Sequence, residues 1–167
     1  MMEINIYTDG AHSSKTNIGG WAFVAVEENT QHPIKQSGWE HNTTNNRMEL
    51  YAVAKALQFA RNVISYEIPM PQVTIYTDSA YIANAFKDRW FDNWRNNGWK
   101  TSKRTPVLNQ DLWEIILAHY ELIQSWITIT KINGHAGHTW NELADQLAVT
   151  ARTVGAKEHN TKGENNE

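Results

Sequence analysis

The tetrapeptide Ile-Tyr-Thr-Asp occurs twice, at residues 6–9 and 75–78, and each copy ends in a carboxylate. Both copies are short β-branched and aromatic runs, which predicts a strand that stops at its aspartate. If the two strands are parallel neighbours, Asp9 and Asp78 leave the sheet side by side, at the edge where open αβ sheets bind ligands. Two adjacent carboxylates repel each other unless a cation compensates them. The alternative is two ordinary strand-to-turn aspartates, each stabilising its own turn.

Two further carboxylates lie on predicted helices. Glu49 shares a helix face with Val53, Ala56 and Ala60. It therefore heads an apolar stripe that faces the sheet, where an unpaired charge is costly. A first-turn glutamate that complements the helix dipole is the alternative, but it explains only the residue type. Asp145 lies among apolar residues on the last predicted helix. Taken by itself, it would be interpreted as an aspartate that faces the solvent.

Two strand ends and two helices thus offer four carboxylates, and this set suits a hard divalent cation such as Mg²⁺. A pair of such ions about 4 Å apart is a common solution for phosphodiester cleavage. One ion activates the attacking water, and the other stabilises the leaving 3′ oxygen. Because the chain contains no cysteine, thiolate metal sites and disulfides are excluded.

The elements that carry these residues predict a mixed α/β (α+β) domain. Hydrophobic periodicity predicts a long helix from residue 46, further helices at 80–94, 108–123 and 141–150, and strands at 4–8, 20–26, 35–40, 73–77 and 126–132. The first three strands form an antiparallel meander, and helices separate the later ones, so we expect a five-stranded mixed sheet flanked by helices.

The length of 167 residues fits one domain. We place this domain at residues 1–154. The tail at 155–167 is polar and lacks large apolar side chains, so it is expected to be disordered.

The composition indicates a soluble protein, with 41% hydrophobic and 20% charged residues. No stretch approaches the ~20 apolar residues of a membrane span. The start of the chain lacks the features of a secretion signal. With no export signal, a cytoplasmic location without membrane contact is expected.

Residues 86–106, which we call the basic arm, hold six Lys or Arg and two Asp, a local charge of +4 in a chain of net charge −3. Basic residues with interleaved tryptophans indicate nucleic-acid binding, because cations hold phosphates and aromatic rings pack on sugars or bases. The alternative is that the tryptophans pack a helix corner, as Trp94 could. The predicted contacts with a DNA strand are Trp90, Lys100, Lys103 and Arg104.

Four segments resemble ribonuclease HI of the bacterial type. They are YTDG (7–10), TNNRMEL (44–50), YTDS (76–79) and GHAGHTWNELAD (134–145), and the resemblance extends over residues 3–150. It implies a ribonuclease H-like fold and an endonuclease that hydrolyses the RNA strand of an RNA/DNA hybrid, leaving 5′-phosphate and 3′-hydroxyl ends. It also implies that the basic arm replaces a separate substrate-binding domain. Nothing in the sequence indicates an obligate protein partner or demands more than a monomer, so a monomer is expected.

The resemblance further implies that Asp9, Glu49, Asp78 and Asp145 bind two Mg²⁺ ions, for which Mn²⁺ is a possible substitute. It makes His135 an aid to proton transfer or product release, a role that suits imidazole. Two other interpretations of the GHAGH segment are a zinc site made by His135 and His138, and histidines that are merely solvated.

Substrate contacts follow from the same resemblance. Asn45 is expected to contact a 2′-hydroxyl, while Thr44 and Asn46 hold a phosphate of the DNA strand. Helix capping is the alternative for these three residues. A hybrid exposes 2′-hydroxyls along a wide minor groove, and the small residues Gly10 and Ala11 would let the backbone approach them. Residues 11–18 depart from the glycine- and proline-rich loop of many relatives.

Three other functions share parts of this pattern. A catalytically inactive hybrid-binding module would benefit from fewer negative charges near phosphates, so the four carboxylates argue against it. A transposase or integrase core shares the metal chemistry but would not require the TNNRMEL and GHAGH segments. The nuclease domain of a reverse transcriptase would perform the same chemistry in another biological setting.

Overall fold

Five strands form one mixed sheet in the order β3-β2-β1-β4-β5 in this computed structural model, which describes residues 2–132 and 139–164. Strand β1 is antiparallel to β2 and parallel to β4, β2 is antiparallel to β3, and β4 is parallel to β5. This sheet confirms the predicted fold class. The strands are β1 (Glu3–Ser13), β2 (Ile18–Glu27), β3 (Ile34–His41), β4 (Gln72–Thr77) and β5 (Ile127–Lys131).

Helices cover both faces of the sheet. Alternate residues of each strand point to opposite faces, so Ile6 packs in the core beneath helices α1 and α4, whereas Tyr7 packs against α5. No helix in the described residues is long and apolar enough to cross a membrane. The helices are α1 (Asn45–Tyr66), α2 (Ala80–Lys87), α3 (Trp90–Asn96), α4 (Gln110–Ile123) and α5 (Thr139–Glu164), with a single 3₁₀ turn at Gln124–Trp126.

Strand β1 does not stop at Asp9, so the predicted strand end there is wrong. The strand continues to Ser13, and Asp9 pairs with Ala22 of β2. Gly10 is required for a close approach rather than for a turn, because a Cβ atom there would lie 2.6 Å from the backbone nitrogen of Glu49. Strands β1 and β4 nevertheless separate near Asp9, because their pairing ends at Tyr7, so the sheet still has an open edge at this point.

Helix α5 extends to Glu164, so the prediction of a disordered tail is wrong for residues 155–164. Gly155 is buried, and a Cβ atom there would lie 2.5 Å from the ring of Trp39 on β3. The rings of His159 and His41 stack at 5.6 Å between centroids. Composition indicated disorder because the apolar partner of this segment lies on a distant strand.

Candidate active site

The two Ile-Tyr-Thr-Asp segments lie in register on adjacent parallel strands, which meets the condition under which their aspartates leave the sheet side by side. Tyr7 pairs with Tyr76, and their rings stack at 5.1 Å between centroids. Asp9 and Asp78 each follow two residues after this last pair of β1 with β4. The negative charge of Asp78 acts on the carboxyl group of Asp9. The strand pairing therefore brings the two aspartates to one point of the sheet edge.

The segment that carries Asp78 is fixed on both sides. Thr77 is fully buried, its side-chain oxygen accepts a hydrogen bond from the Ser79 amide at 3.1 Å, and its carbonyl accepts one from the Ile132 amide at 2.9 Å. Ser79 in turn caps α2, because its hydroxyl oxygen accepts from the Ile82 amide at 3.2 Å. Asp78 itself remains half-buried at the junction of strand and helix.

Glu49 enters the cluster from the start of α1, where the approach permitted by Gly10 places it beside Asp9. Both carboxylates are only 6% exposed. The Gly10 amide donates to Asp9 Oδ1 at 2.9 Å, and the two carboxyl groups share a hydrogen bond. Among the described residues, the buried Oε2 atom of Glu49 has no hydrogen-bond partner. A buried oxygen in this state is costly unless a cation or donor satisfies it.

Asp145 completes the group from α5. Its side chain is exposed, yet its carboxyl group hydrogen-bonds that of Asp9. We refer to Asp9, Glu49, Asp78 and Asp145 as the carboxylate cluster. Its members come from two strands and two helices on opposite faces of the sheet, and Asp9 interacts with all three others.

The cluster is strained electrostatically when all its members are charged. Burial, together with the hydrogen bond that protonated Asp9 donates to Asp145 and the charge of Asp78, raises the pKa of Asp9 to about 7. Burial and the charges of Asp9 and Asp78 raise the pKa of Glu49 to about 9. The Gly10 amide opposes both shifts. A divalent cation would relieve this repulsion, and hard oxygen donors are the ligands that Mg²⁺ prefers.

Within residues 2–132 and 139–164, no three His, Asp or Glu side chains already form a complete ligand set for a metal ion. A cation bound by the cluster would therefore require side-chain adjustment or oxygen ligands from a substrate. The exposed position of Asp145 leaves room for such an adjustment. The donor chemistry and the unpartnered Glu49 oxygen both fit a hard cation.

The start of α1 lies next to the cluster and carries three of the predicted substrate contacts. Thr44 is the N-cap, and its hydroxyl oxygen accepts from the Arg47 amide at 3.1 Å. Capping therefore occupies Thr44, whereas Asn45 and Asn46 are exposed in the first turn. On the opposite side of the cluster, the side chain of Ala11 packs against α5, so only its backbone could meet a substrate.

Comparison with known proteins gives the family of the chain. The sequence model of the RNase H family matches residues 1–153. The chain belongs to the RNase H family. It is 44% identical over 147 residues to the "Ribonuclease H" of Thermoanaerobacter sp. (strain X514), covering 87% of each chain. It is also 44% identical over 151 residues to that of Syntrophomonas wolfei, covering 90% of this chain and 97% of the other.

A solved foamy viral protease-reverse transcriptase, in complex with dsDNA, is similar in fold. It superimposes with a TM-score of 0.73 at 27% identity, over 89% of this chain and 93% of that one. Membership of the RNase H family confirms the resemblance read from the sequence. It also confirms that the chain is an enzyme of the ribonuclease H type, a nuclease that acts on RNA/DNA hybrids.

The basic arm of this RNase H chain begins where the predicted helix at 80–94 is interrupted. Arg89 adopts a left-handed conformation, with φ 50°, and separates α2 from α3. Arg89 and Arg95 form ion pairs with Asp92 and Glu121. Among the described residues, no ion pair involves Lys100, Lys103 or Arg104. These three exposed cations are therefore free to meet phosphates.

Trp90 borders a cavity of about 550 Å³ between α2, α3 and the following loop. Trp94 is buried and packs edge-on against Trp113 at 5.2 Å between centroids, so it fills the helix corner as the alternative reading had it. The sequence did not predict that Tyr81 and three asparagines, Asn93, Asn96 and Asn97, line this cavity. The asparagines lie between the tryptophans in the sequence, and this was the available signal. The lining residues are Tyr81, Trp90, Asn93, Trp94, Asn96, Asn97, Lys100, Thr101 and Ser102.

The GHAGH segment lies outside the described residues. The roles predicted for His135 and His138 therefore stay predictions.

Proposed function

We propose that this ribonuclease H is an endonuclease that hydrolyses the RNA strand of an RNA/DNA hybrid and leaves 5′-phosphate and 3′-hydroxyl ends. The carboxylate cluster carries this proposal. In particular, the buried Glu49 Oε2 atom, which has no partner among the described residues, lies beside a second buried carboxylate at the sheet edge. Such an arrangement has a chemical use at a phosphodiester only if it holds cations.

Asp9, Glu49, Asp78 and Asp145 would hold two Mg²⁺ ions, with Mn²⁺ as a possible substitute. When bound, the ions supply the charge that activates the attacking water and stabilises the leaving 3′ oxygen. The Gly10 amide, at 2.9 Å from Asp9 Oδ1, fixes the orientation of the central carboxylate. Burial of Asp9 and Glu49 strengthens their electrostatic interaction with any cation, because the local dielectric is low.

The start of α1 supplies the contacts that distinguish the two strands. Asn45 would contact a 2′-hydroxyl, and Asn46 and Thr44 would contact a phosphate of the DNA strand; all three residues are exposed. The unsatisfied amides of a helix N-terminus favour such an anion. Gly10 and Ala11 of β1 would offer backbone groups to the substrate. His135 would assist proton transfer or product release.

The basic arm would bind the DNA strand beyond the cleavage site, through Lys100, Lys103 and Arg104 at phosphates and Trp90 at sugars or bases. Within residues 2–132 and 139–164 these cations form no ion pair, which supports this role. The monomeric state and cytoplasmic location expected from the sequence remain part of the proposal.

The test is incubation of the purified protein with four end-labelled duplexes or strands of one sequence: RNA/DNA hybrid, single-stranded RNA, duplex RNA and duplex DNA. We expect cleavage of the hybrid's RNA strand only, with Mg²⁺ present, and loss of cleavage in Asp9→Asn. Hybrid binding without cleavage in any metal would indicate an inactive binding module. Cleavage of duplex DNA would indicate a transposase-like nuclease.

A further inference from the structure

Arg47 bridges three separate elements beside the carboxylate cluster. From the first turn of α1, its Nε donates to Glu40 Oε2 of β3 at 3.1 Å. Its Nη1 and Nη2 donate to the two carboxylate oxygens of Asp111 on α4 at 3.0 and 2.8 Å. Nη1 also reaches Asn109 Oδ1 at 3.4 Å. The paired bonds to Asp111 have the fork geometry that makes an arginine–carboxylate contact strong and directional.

One end of this network lies within the proposed substrate site. The Arg47 amide donates to the Thr44 hydroxyl oxygen at 3.1 Å, and Glu49 follows two residues later on the same helix. Arg47 therefore stands between the residues that would contact the hybrid and a member of the carboxylate cluster. Its side chain is only 23% exposed, so it is held in place rather than free in solvent.

The other end of the network leads to the basic arm. Asn109 precedes α4 in a left-handed conformation, with φ 61°, and its side chain accepts from Arg47 instead of capping the helix. Two residues after Asp111, the fully buried Trp113 packs on Trp94 at 5.2 Å between centroids. Trp94 packs on Trp99 at 6.0 Å, and the Trp99 carbonyl accepts from the Val107 amide at 2.9 Å.

We propose that Arg47 is a positioning residue that fixes the distance between the start of α1 and the basic arm, so that both surfaces bind one hybrid at the same time. Two linked weak surfaces bind tightly only when their spacing matches the ligand. The inference rests on the proposed function for its substrate. The guanidinium holds the pKa of the Asp111 carboxyl below its usual range, through the hydrogen bonds between the two side chains.

A double-mutant cycle tests this coupling. Arg47→Lys keeps the charge and removes the fork, and Lys103→Ala removes one phosphate contact of the basic arm. We expect Lys103→Ala to raise KM for a long hybrid in the wild-type background, and to raise it at least about twofold less in the Arg47→Lys background. Both variants should leave kcat within about twofold of wild type, because the carboxylate cluster is intact.

Matched variants separate positioning from general damage to the fold. Gln110→Ala is the control variant: Gln110 neighbours Asp111 but hydrogen-bonds Glu114 within α4. Its effect on KM should simply multiply with that of Lys103→Ala. Asp111→Asn should weaken the coupling as Arg47→Lys does. Asp111→Glu keeps the carboxylate and should leave the coupling close to its wild-type value. Thermal unfolding of each variant checks that it is folded at the assay temperature.

Two results would overturn the inference: KM effects of Arg47→Lys and Lys103→Ala that simply multiply, or a fall in kcat with unchanged KM. Absence of hybrid cleavage by the wild type would count against the proposed function instead. In that case the same cycle is measured by fluorescence anisotropy of hybrid binding, and multiplicative dissociation constants would still overturn the positioning role.

Discussion

The carboxylate cluster and the basic arm place charge in opposite surroundings. Asp9 and Glu49 are buried on β1 and α1, where their negative charges repel each other. Lys100, Lys103 and Arg104 stand in solvent on a loop between α3 and α4. Water screens those positive charges from one another, so they cost the fold little. Burial instead raises the pKa of Asp9 to about 7 and that of Glu49 to about 9, so a bound proton or a cation must neutralise these buried carboxyl groups near neutral pH.

This contrast separates two functions. Metal-assisted chemistry requires preorganised ligands, and therefore a rigid, strained site within the sheet. Phosphate affinity depends on the number of cations and tolerates imprecise geometry. Changes in the carboxylate cluster should therefore alter the rate of cleavage, and changes in the basic arm should alter the affinity for the hybrid.

The largest effect is expected from Asp9→Asn, because Asp9 interacts with every other member of the cluster. In the proposed two-metal mechanism the loss of this ligand would remove several kcal/mol of transition-state stabilisation, so kcat should fall by roughly 10² or more with KM nearly unchanged. Initial rates on a hybrid substrate measure both constants. Glu142→Gln is the matched control, an exposed carboxylate on α5 near Asp145, and its rates should match wild type. A rise in KM with kcat preserved would contradict the assignment of cleavage rate to the carboxylate cluster and of affinity to the basic arm.

A smaller effect, on affinity, is expected when Lys100, Lys103 and Arg104 are all changed to Ala. KM should rise on the order of tenfold at moderate salt, and the salt dependence of binding should weaken by about one unit per lost phosphate contact. The kcat value should stay at the wild-type level. Titration of hybrid binding at several salt concentrations measures the slope. An unchanged slope would show that these cations do not contact phosphate.

Two glycines sharpen the comparison through stability. In Gly10→Ala the new Cβ would lie 2.6 Å from the Glu49 nitrogen, so β1 and α1 must separate at a cost of about 1–3 kcal/mol. In Gly98→Ala, on the basic arm, the Cβ meets no atom within 4 Å, and only the left-handed φ of 74° is unfavourable, at about 1 kcal/mol. Chemical denaturation gives both values. Only Gly10→Ala should also lower kcat.

The last prediction concerns the pH dependence of the stability of the metal-free protein. Unfolded carboxyls have pKa values of about 4, whereas burial raises the pKa of Asp9 to about 7 and that of Glu49 to about 9 in the fold. Between these limits the folded state binds more protons than the unfolded state, so the free energy of unfolding decreases as pH rises.

Thermal unfolding without metal, from about pH 5 to pH 9, measures this slope. Glu49→Gln should flatten it and stabilise the metal-free protein at alkaline pH. At alkaline pH, Mg²⁺ should raise the free energy of unfolding of the wild-type protein, because it binds the folded state only. Asp92→Asn, at an exposed carboxylate of the basic arm, serves as the control and should leave the slope unchanged. A wild-type stability that rises with pH would contradict the burial effect.

Local patterns predicted much of the site because they are set by neighbouring residues in the chain. The repeated Ile-Tyr-Thr-Asp segments carried enough strand character to place Asp9 beside Asp78. The helical period around Glu49 placed it on the buried face, with 6% exposure. The hydrogen bond between Asp145 and Asp9 could not be derived from the residues alone, since α5 packs across the sheet from distant sequence.

The errors share a physical cause, which is contact between distant segments. Asp9-Gly10 has the composition of a turn, but Gly10 makes room for the backbone of Glu49. The polar residues after Gly155 lack an apolar stripe, but Trp39 and His41 of β3 hold them in a helix. Arg47 gave no local signal of its partner, because Asp111 follows 64 residues later.

The most direct test of the carboxylate cluster is the position of Mn²⁺ in a crystal of the protein bound to a hybrid that carries a 2′-deoxy sugar at the cleavage site. Anomalous scattering locates the ions. We expect two Mn²⁺ peaks between the scissile phosphate and the carboxylates of Asp9, Glu49, Asp78 and Asp145. Mn²⁺ bound elsewhere, with these carboxylates contacting only each other or protein donors, would contradict the account.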